Sequence, residues 1–338
     1  MAGRALARPR QCIASAWREE RKQALHAVNI LPAMPEPAVR AARSIDTVAL
    51  VAVLSRLARA GQAPWLHGEV ARRMAERLPV IRLQPEHIVD WWSFLGGGAA
   101  RLAEAYPQAR LTAIEPTAAL LTRSVAALRT PWWSARRWRG SAAQAMREDE
   151  APATGAPPVQ LLWSNMALHA AADPPAVIQR WHELLAPQGF AMFSCFGPDT
   201  VRELRTLYAP TGRPPGIDFV DMHDLGDMMV RAGFADPVMD QETITLEWPT
   251  PAALLHELRS LGGNVSVGRP PGLHGRRWQA ALLRELESLR GTNGRLAMRF
   301  EIAYGHAFKA IPRLPVASET RVSAVQMRDM ARAERAKR

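Results

Sequence analysis

At 338 residues the chain can bury a large core, as one elaborated domain or as two small ones. Its formal charge of +11 invites a nucleic-acid reading, but the surplus sits at the ends: residues 1–60 hold ten Lys/Arg against four Asp/Glu and residues 321–338 hold six against two, so the body between them is nearly neutral. Two cysteines, Cys12 and Cys195, provide no disulfide framework, and no apolar run approaches the ~18 residues of a membrane span.

Residues 1–45 alternate helical fragments with Pro32, Pro35 and Pro37; they read as a disordered leader, or as sequence ahead of a start at Met34. The Arg-rich opening has no continuous apolar centre, which excludes a secretory signal. Asp46–Ala60 and His67–Leu78 show the apolar spacing of amphipathic helices. The sheet is expected to begin with His87–Trp92, followed by Gly96, Gly97 and Gly98 and a helix through Tyr106. Arg110–Ile114 reads as a second strand ending in Glu115, and Thr117–Leu128 as the helix after it. A weak third strand is expected within 130–140, where Trp132, Trp133 and Trp138 interleave with Arg136, Arg137 and Arg139. Those residues suit a Trp-packed turn with solvated arginines, and equally a dock for an acidic protein or a stacking surface for nucleic acid. Glu148–Pro158 reads as an Ala/Pro/Gly loop.

The segment Leu161–Gly197 is the most informative. Two apolar runs, Val159–Trp163 and Phe190–Phe196, flank one helical pattern. Asp173-Pro174-Pro175 starts that helix, with proline where its missing N–H costs nothing. Val177, Ile178, Trp181, Leu184 and Leu185 form its apolar stripe, and Pro187-Gln188-Gly189 turns the chain into the second run. Strand, helix, strand in this order predicts a parallel crossover in a covered sheet. Open sheets of that kind bind ligands beyond the carboxyl ends of their strands, where Ser164, Asn165 and the stretch to His169 fall. Thr200–Tyr208 and Met222–Ala232 then read as helices, and Pro237–Trp248 as a strand pair or one long strand. Ala252–Leu261 and Trp278–Leu289 read as helices around a Gly/Pro-rich loop, and Leu296–Phe308 as the last strand.

In wording, SNMALH, WHELLAPQGFAMFSCFGPDTVREL and FVDMHDLGDMMVRAGFADPVMDQETITL resemble the class I S-adenosylmethionine-dependent methyltransferases, and within them the malonyl-acyl-carrier-protein O-methyltransferases of biotin synthesis. LHGEVARRMAERL (66–78) and FEIAYGHAF (300–308) extend the likeness collinearly over roughly residues 60–310. The resemblance implies a Rossmann-like α/β fold, a mostly parallel sheet whose last strand is antiparallel and inserted near one edge. It implies a methyltransferase domain over 46–310, lid helices at about 251–290 and a basic tail over 311–338.

It also implies a cofactor site. In the family S-adenosylmethionine meets a glycine-rich turn after strand one, an acidic residue after strand two and a small or acidic pair after strand three. By position these are Asp90 with Gly96, Gly97 and Gly98, then Glu115, then Ser141 and Ala142, with Asn165 beside the cofactor's amino-acid end. The usual acid is missing at Ser141-Ala142. The family pattern Asp-x-Gly-x-Gly-x-Gly is broken as well, since Trp92 and Phe94 stand at two glycine positions. Three readings stay open: a longer loop using Gly96-x-Gly98, aromatic rings that fill the pocket, or a shifted cofactor.

On the acceptor side the resemblance implies a malonyl carboxylate on an acidic acyl carrier protein. A carboxylate is already ionised and needs positioning more than a base. His169 is the candidate group at the acceptor, and Asn165 could as well cap the loop after strand four. Two alternatives stand beside this activity: a cofactor-free binding or regulatory protein on the same fold, and a methyltransferase for another small acid or a protein side chain. No metal site, nucleic-acid partner or membrane partner is expected, and the cytoplasm is the expected location.

Overall fold

The computed structural model describes residues 45–128, 143–152, 157–208, 216–269, 272, 275–311, 325, 328 and 332. The expected leader up to residue 44, the Trp/Arg segment 130–140 with Ser141 and Ala142, and most of the basic tail lie outside the described residues.

Local signals start and stop the helices where hydrogen-bonding chemistry requires. Helix α1 (Thr47–Ala60) is capped by Asp46, whose carboxylate accepts the Ala49 N–H at 3.0 Å, and ends at Gly61 in the left-handed region. It is followed by α2 (Trp65–Ala75), strand β1 (His87–Trp91), a single helical turn over Ser93–Gly96 and α3 (Ala99–Ala105). Next come β2 (Arg110–Glu115), α4 (Ala118–Leu128), β3 (Gln144–Arg147) and β4 (Val159–Asn165). The crossover helix α5 (Pro174–Leu184) has its expected Asp173 cap and leads into β5 (Leu185–Phe196). The chain closes with α6 (Arg202–Tyr208), α7 (Met222–Arg231), β6 (Phe234–Trp248), α8 (Pro251–Leu261), α9 (Arg276–Glu287) and β7 (Leu296–Lys309).

These strands form one seven-stranded sheet in the order β3-β2-β1-β4-β5-β7-β6. β1 to β5 are parallel, β7 runs antiparallel between β5 and β6, and β6 is the edge. This is the Rossmann-like class I methyltransferase order implied by the resemblance, with the late strand inserted near one edge. Side chains alternate across the sheet and separate two cores. One face buries Val89, Trp91, Leu162 and Phe193 under α1, α4, α5 and α7. The other buries Ile88, Leu161, Trp163 and Phe190 under α2, α3, α8 and α9. Coverage on both sides explains why β4 and β5 read as continuous apolar runs, whereas edge strand β6 alternates.

Several expectations shift. The described third strand, β3, lies at Gln144–Arg147, with Glu148 directly after its carboxyl end. β1 stops at Trp91 because Trp92 turns left-handed. Pro187-Gln188-Gly189 lies inside the irregular start of β5, with Gln188 at positive φ and a register shift against β4, because pairing resumes before the turn is complete. β6 is one long strand. Ile45, assigned to the leader from sequence, is buried and bridges Ser266, and the Asp46 carboxylate pairs with Arg269 at 2.5 Å. The N-terminal end of α1 is therefore tied to the loop between the two lid helices. Among the described residues no helix is long and apolar enough to cross a membrane.

The tightest backbone approach in the sheet is Gly305 in β7. A Cβ there would meet the Phe193 ring at 2.5 Å and the Met239 sulfur at 2.9 Å. Gly305→Ala should cost about 1–3 kcal/mol through overpacking. Urea unfolding that moves by less than a few tenths of that would mean the sheet relaxes freely at this point.

Candidate active site

The carboxyl ends of β1 to β5 converge on one edge, and the side chains there are mostly engaged with one another. Asp90 is fully buried in β1, and its carboxylate accepts the Ser93 hydroxyl at 2.5 Å. Trp92 follows with φ 57° and ψ 48°, a left-handed conformation costing a non-glycine residue roughly 1–2 kcal/mol. Its backbone N–H donates to the Ile114 carbonyl at 2.7 Å, which holds the strained turn against β2. Its indole N–H reaches across to Glu148 at 3.1 Å. At the end of β2, one oxygen of the fully buried Glu115 accepts both the Phe94 N–H at 2.7 Å and the Ser124 hydroxyl at 2.5 Å.

The glycines serve close packing. A Cβ on Gly98 would strike the Trp163 indole nitrogen at 2.5 Å, and one on Gly96 would approach the Asn165 carbonyl at 3.1 Å; Gly97 has φ 65°. Asn165 is fully buried and uses its whole amide within the protein: it donates to the carbonyls of Gly96 at 2.5 Å and His67 at 2.7 Å, and accepts the Ser194 hydroxyl at 2.7 Å. These bonds fasten the loop after β4 to the turn after β1 and to α2. Ser141 and Ala142 lie outside the described residues.

S-adenosylmethionine would need backbone donors after β1, a free carboxylate after β2 and a polar edge after β3. In the structure the Phe94 N–H and the Ser124 hydroxyl are given to one oxygen of Glu115, and Glu148 is taken by Trp92, while Glu115 Oε2 and Asp90 Oδ1 are buried with no partner among the described residues. In this arrangement the Trp92–Glu148 bond closes the edge after β3, while Glu115 Oε2 is left to accept from a cofactor and a cavity of about 470 Å³ lies beside Ser93, Phe94, Gly97 and Ser124.

Beyond Trp92 and Leu95 lies a much larger space, a cavity of about 850 Å³ roofed by Leu255 and Leu258 of α8 and Leu282 of α9. Helices α8 and α9 therefore line this cavity from one side. His169 is on its wall, its ring 4.5 Å from that of Phe196 and 5.9 Å from that of Phe219. His67 faces the same cavity from α2. Its Nδ1 pairs with the Leu95 carbonyl at 2.9 Å, which sets the tautomer and leaves the buried Nε2 with no partner among the described residues. Among the described residues of the lining there is no Asp or Glu; the charged side chains are Arg56 and Arg259. Arg56 donates to the Arg259 carbonyl at 3.0 Å and the Gly262 carbonyl at 2.5 Å, and burial, then Arg259 and Arg59, lower its pKa. Among the described residues no metal-binding group of three or more His, Cys, Asp or Glu occurs.

His67 and Glu148 escaped the sequence reading. His67 looks like one more residue on an amphipathic helix, and Glu148 was assigned to a loop because β3, directly before it, drew no expectation. The register of the edge strand would have revealed the missing acid.

Burial pushes the Glu115 carboxyl up to about 7, and burial together with nearby Glu115 pushes Asp90 up to about 7. Each raised group contributes stability that is full below its unfolded value and is lost as the pH rises through about 7. His67, lowered by burial to about 4, acts oppositely and loses its contribution as the pH falls below 6.5. Comparing the native chain with Glu115→Gln cancels the His67 and Asp90 contributions to first order. Between about pH 5 and about pH 8.5 the native chain should lose about 1–3 kcal/mol more stability than the variant in urea unfolding. Equal losses would show that Glu115 ionises freely.

The methyltransferase domain family matches residues 68–236. Malonyl-acyl-carrier-protein O-methyltransferase of Gallionella capsiferriformans is 38% identical over 253 residues, covering 74% of this chain and 86% of the relative. The proteins of the same name from Laribacter hongkongensis and Nitrosospira multiformis are each 36% identical, covering 75% and 77% of this chain and 85% and 88% of themselves. With the sheet order and the roofed cavity in place, these matches establish that the chain is a methyltransferase of the malonyl-acyl-carrier-protein O-methyltransferase family.

Proposed function

We propose that the chain transfers a methyl group from S-adenosylmethionine to the free carboxylate of a malonyl group carried on acyl carrier protein, in biotin precursor synthesis. The observation that carries this reading is the cavity: apolar, roofed, with arginine as the charged residue of its described lining and no acid beside it. An apolar wall excludes water, and an acid-free lining avoids repelling an anionic acceptor in a low-dielectric site. The carboxylate is ionised at neutral pH, so the chain's task is to hold it still. His67 does not take part in holding it, because its neutral ring gives Nδ1–H to the Leu95 carbonyl and leaves Nε2 an acceptor.

The carrier's acidic surface finds its counterpart outside. Arg59 and Arg259 are exposed beside Arg56, and neither has a carboxylate partner among the described ion pairs. A second reading, a cofactor-free binding protein, draws on the engaged Trp92–Glu148 crevice.

The deciding experiment incubates the full chain with methyl-labelled S-adenosylmethionine and malonyl-acyl carrier protein. Base-labile label should appear on the malonyl carrier and be missing from an acetyl carrier; no label from folded protein would sink the activity. In the same assay Arg59→Glu and Arg259→Glu should each raise KM for the carrier by about 5- to 10-fold, roughly 1 kcal/mol, with kcat nearly unchanged. An unchanged KM would move the carrier to another face.

A further inference from the structure

The crevice and the family membership disagree, and the disagreement centres on one side chain. Trp92 is only 8% exposed although it sits at a strand end where a ligand is expected. Its ring runs from the end of β1 to Glu148 at the end of β3. It forms a partition: on one side is a small cavity of about 140 Å³ shared with Glu148, Leu168 and Ala171, and on the other the cavity of about 850 Å³. The backbone of Trp92 is pinned by its hydrogen bond to Ile114, so rotation about the side-chain bonds is the movement open to the ring. The large cavity offers space to receive it.

A carboxylate that accepts an indole N–H at 3.1 Å would accept an N–H from the exocyclic amine of a purine in the same way. Flat, aromatic and carrying one N–H donor, the indole is a fair copy of the edge and face of a nucleobase.

We infer that Trp92 is an internal occupant of the nucleoside subsite: latched to Glu148 it closes the crevice, and the adenosyl end of the cofactor enters when the indole swings into the acceptor cavity. This rests on the proposed methyl transfer for the identity of the ligand. The latch explains how a chain of this family can hold Glu148 engaged with its own indole. It also couples the two sites, because the displaced ring would take up acceptor space, so cofactor binding would reshape the cavity before the acyl group arrives.

The test is calorimetric titration of the full chain with S-adenosylhomocysteine, native against Trp92→Gly and Trp92→Phe. Glycine is relaxed at this left-handed position, so the first variant removes the ring without a backbone penalty. If the latched state holds nine-tenths of the molecules or more, its removal should tighten binding about 10-fold or more. Trp92→Phe keeps an aromatic ring but lacks the N–H, and should shift affinity in the same direction by a smaller factor. It also carries the test if the glycine variant fails to give a cooperative thermal transition.

Affinity that is unchanged or weaker in both folded variants overturns the latch, since Trp92 would then be neutral or a direct cofactor contact. No binding by the native chain or by either variant overturns it as well, and favours the cofactor-free reading. Methyl transfer run in parallel separates the two ideas. Tight binding by Trp92→Gly without transfer strikes the proposed acceptor and leaves the latch standing. Transfer by the native chain with affinities indifferent to Trp92 strikes the latch and leaves the function.

Discussion

The carboxyl edge of this sheet is organised around one buried amide. Asn165, at the last position of β4, donates to a carbonyl of α2 and to one of the turn after β1, and accepts a hydroxyl from β5. Three elements distant in sequence are thereby held to a fourth. Each neutral hydrogen bond nets only about 1 kcal/mol, but leaving one of these groups buried without its partner costs about 1–3 kcal/mol. Displacing any of the three elements would strand buried polar atoms. The orientation of His67 follows, since its carbonyl is held by Asn165 and its ring by Leu95. So does the boundary between crevice and cavity, because Gly96 and Leu95 belong to the same fastened turn.

Charge is distributed unevenly about that boundary. Asp90, Glu115 and Glu148 all lie on the crevice side, each with one oxygen bonded to donors from the chain itself: Ser93, then Phe94 with Ser124, then Trp92. Their carboxyls are driven up by burial, so the crevice carries less negative charge near pH 7 than three exposed acids would. The cavity side has arginines at its wall and no described acid. An acceptor that is a carboxylate would meet the favourable polarity on the cavity side. The same division explains why Trp92 matters: it stands between the two regions and is bonded to the acidic one.

Most of the architecture was legible from local patterns. Asp46, Asp173 and Gly61 mark helix ends because a cap satisfies groups within a turn of itself. The unbroken apolar runs of β4 and β5 announce strands covered on both faces. Edge strand β3 drew no expectation because it is four residues long and largely polar, QAMR, beside a stretch rich in tryptophan that looks more strand-like. Glu115 was found at the right place because it closes a well-marked strand; its engagement by Phe94 and Ser124 was invisible.

By itself the sequence determined the order of elements, the family and the anomaly at Trp92 and Phe94. Periodicity and capping act over a few residues, and family wording is collinear. What the anomaly does was decided by tertiary structure alone. Trp92 meets a partner 56 residues away, Phe94 one 21 away, and Asn165 one 98 away. The free energy of those pairs comes from removing water around donor and acceptor together, a condition that exists only after the sheet and its covering helices have closed over them.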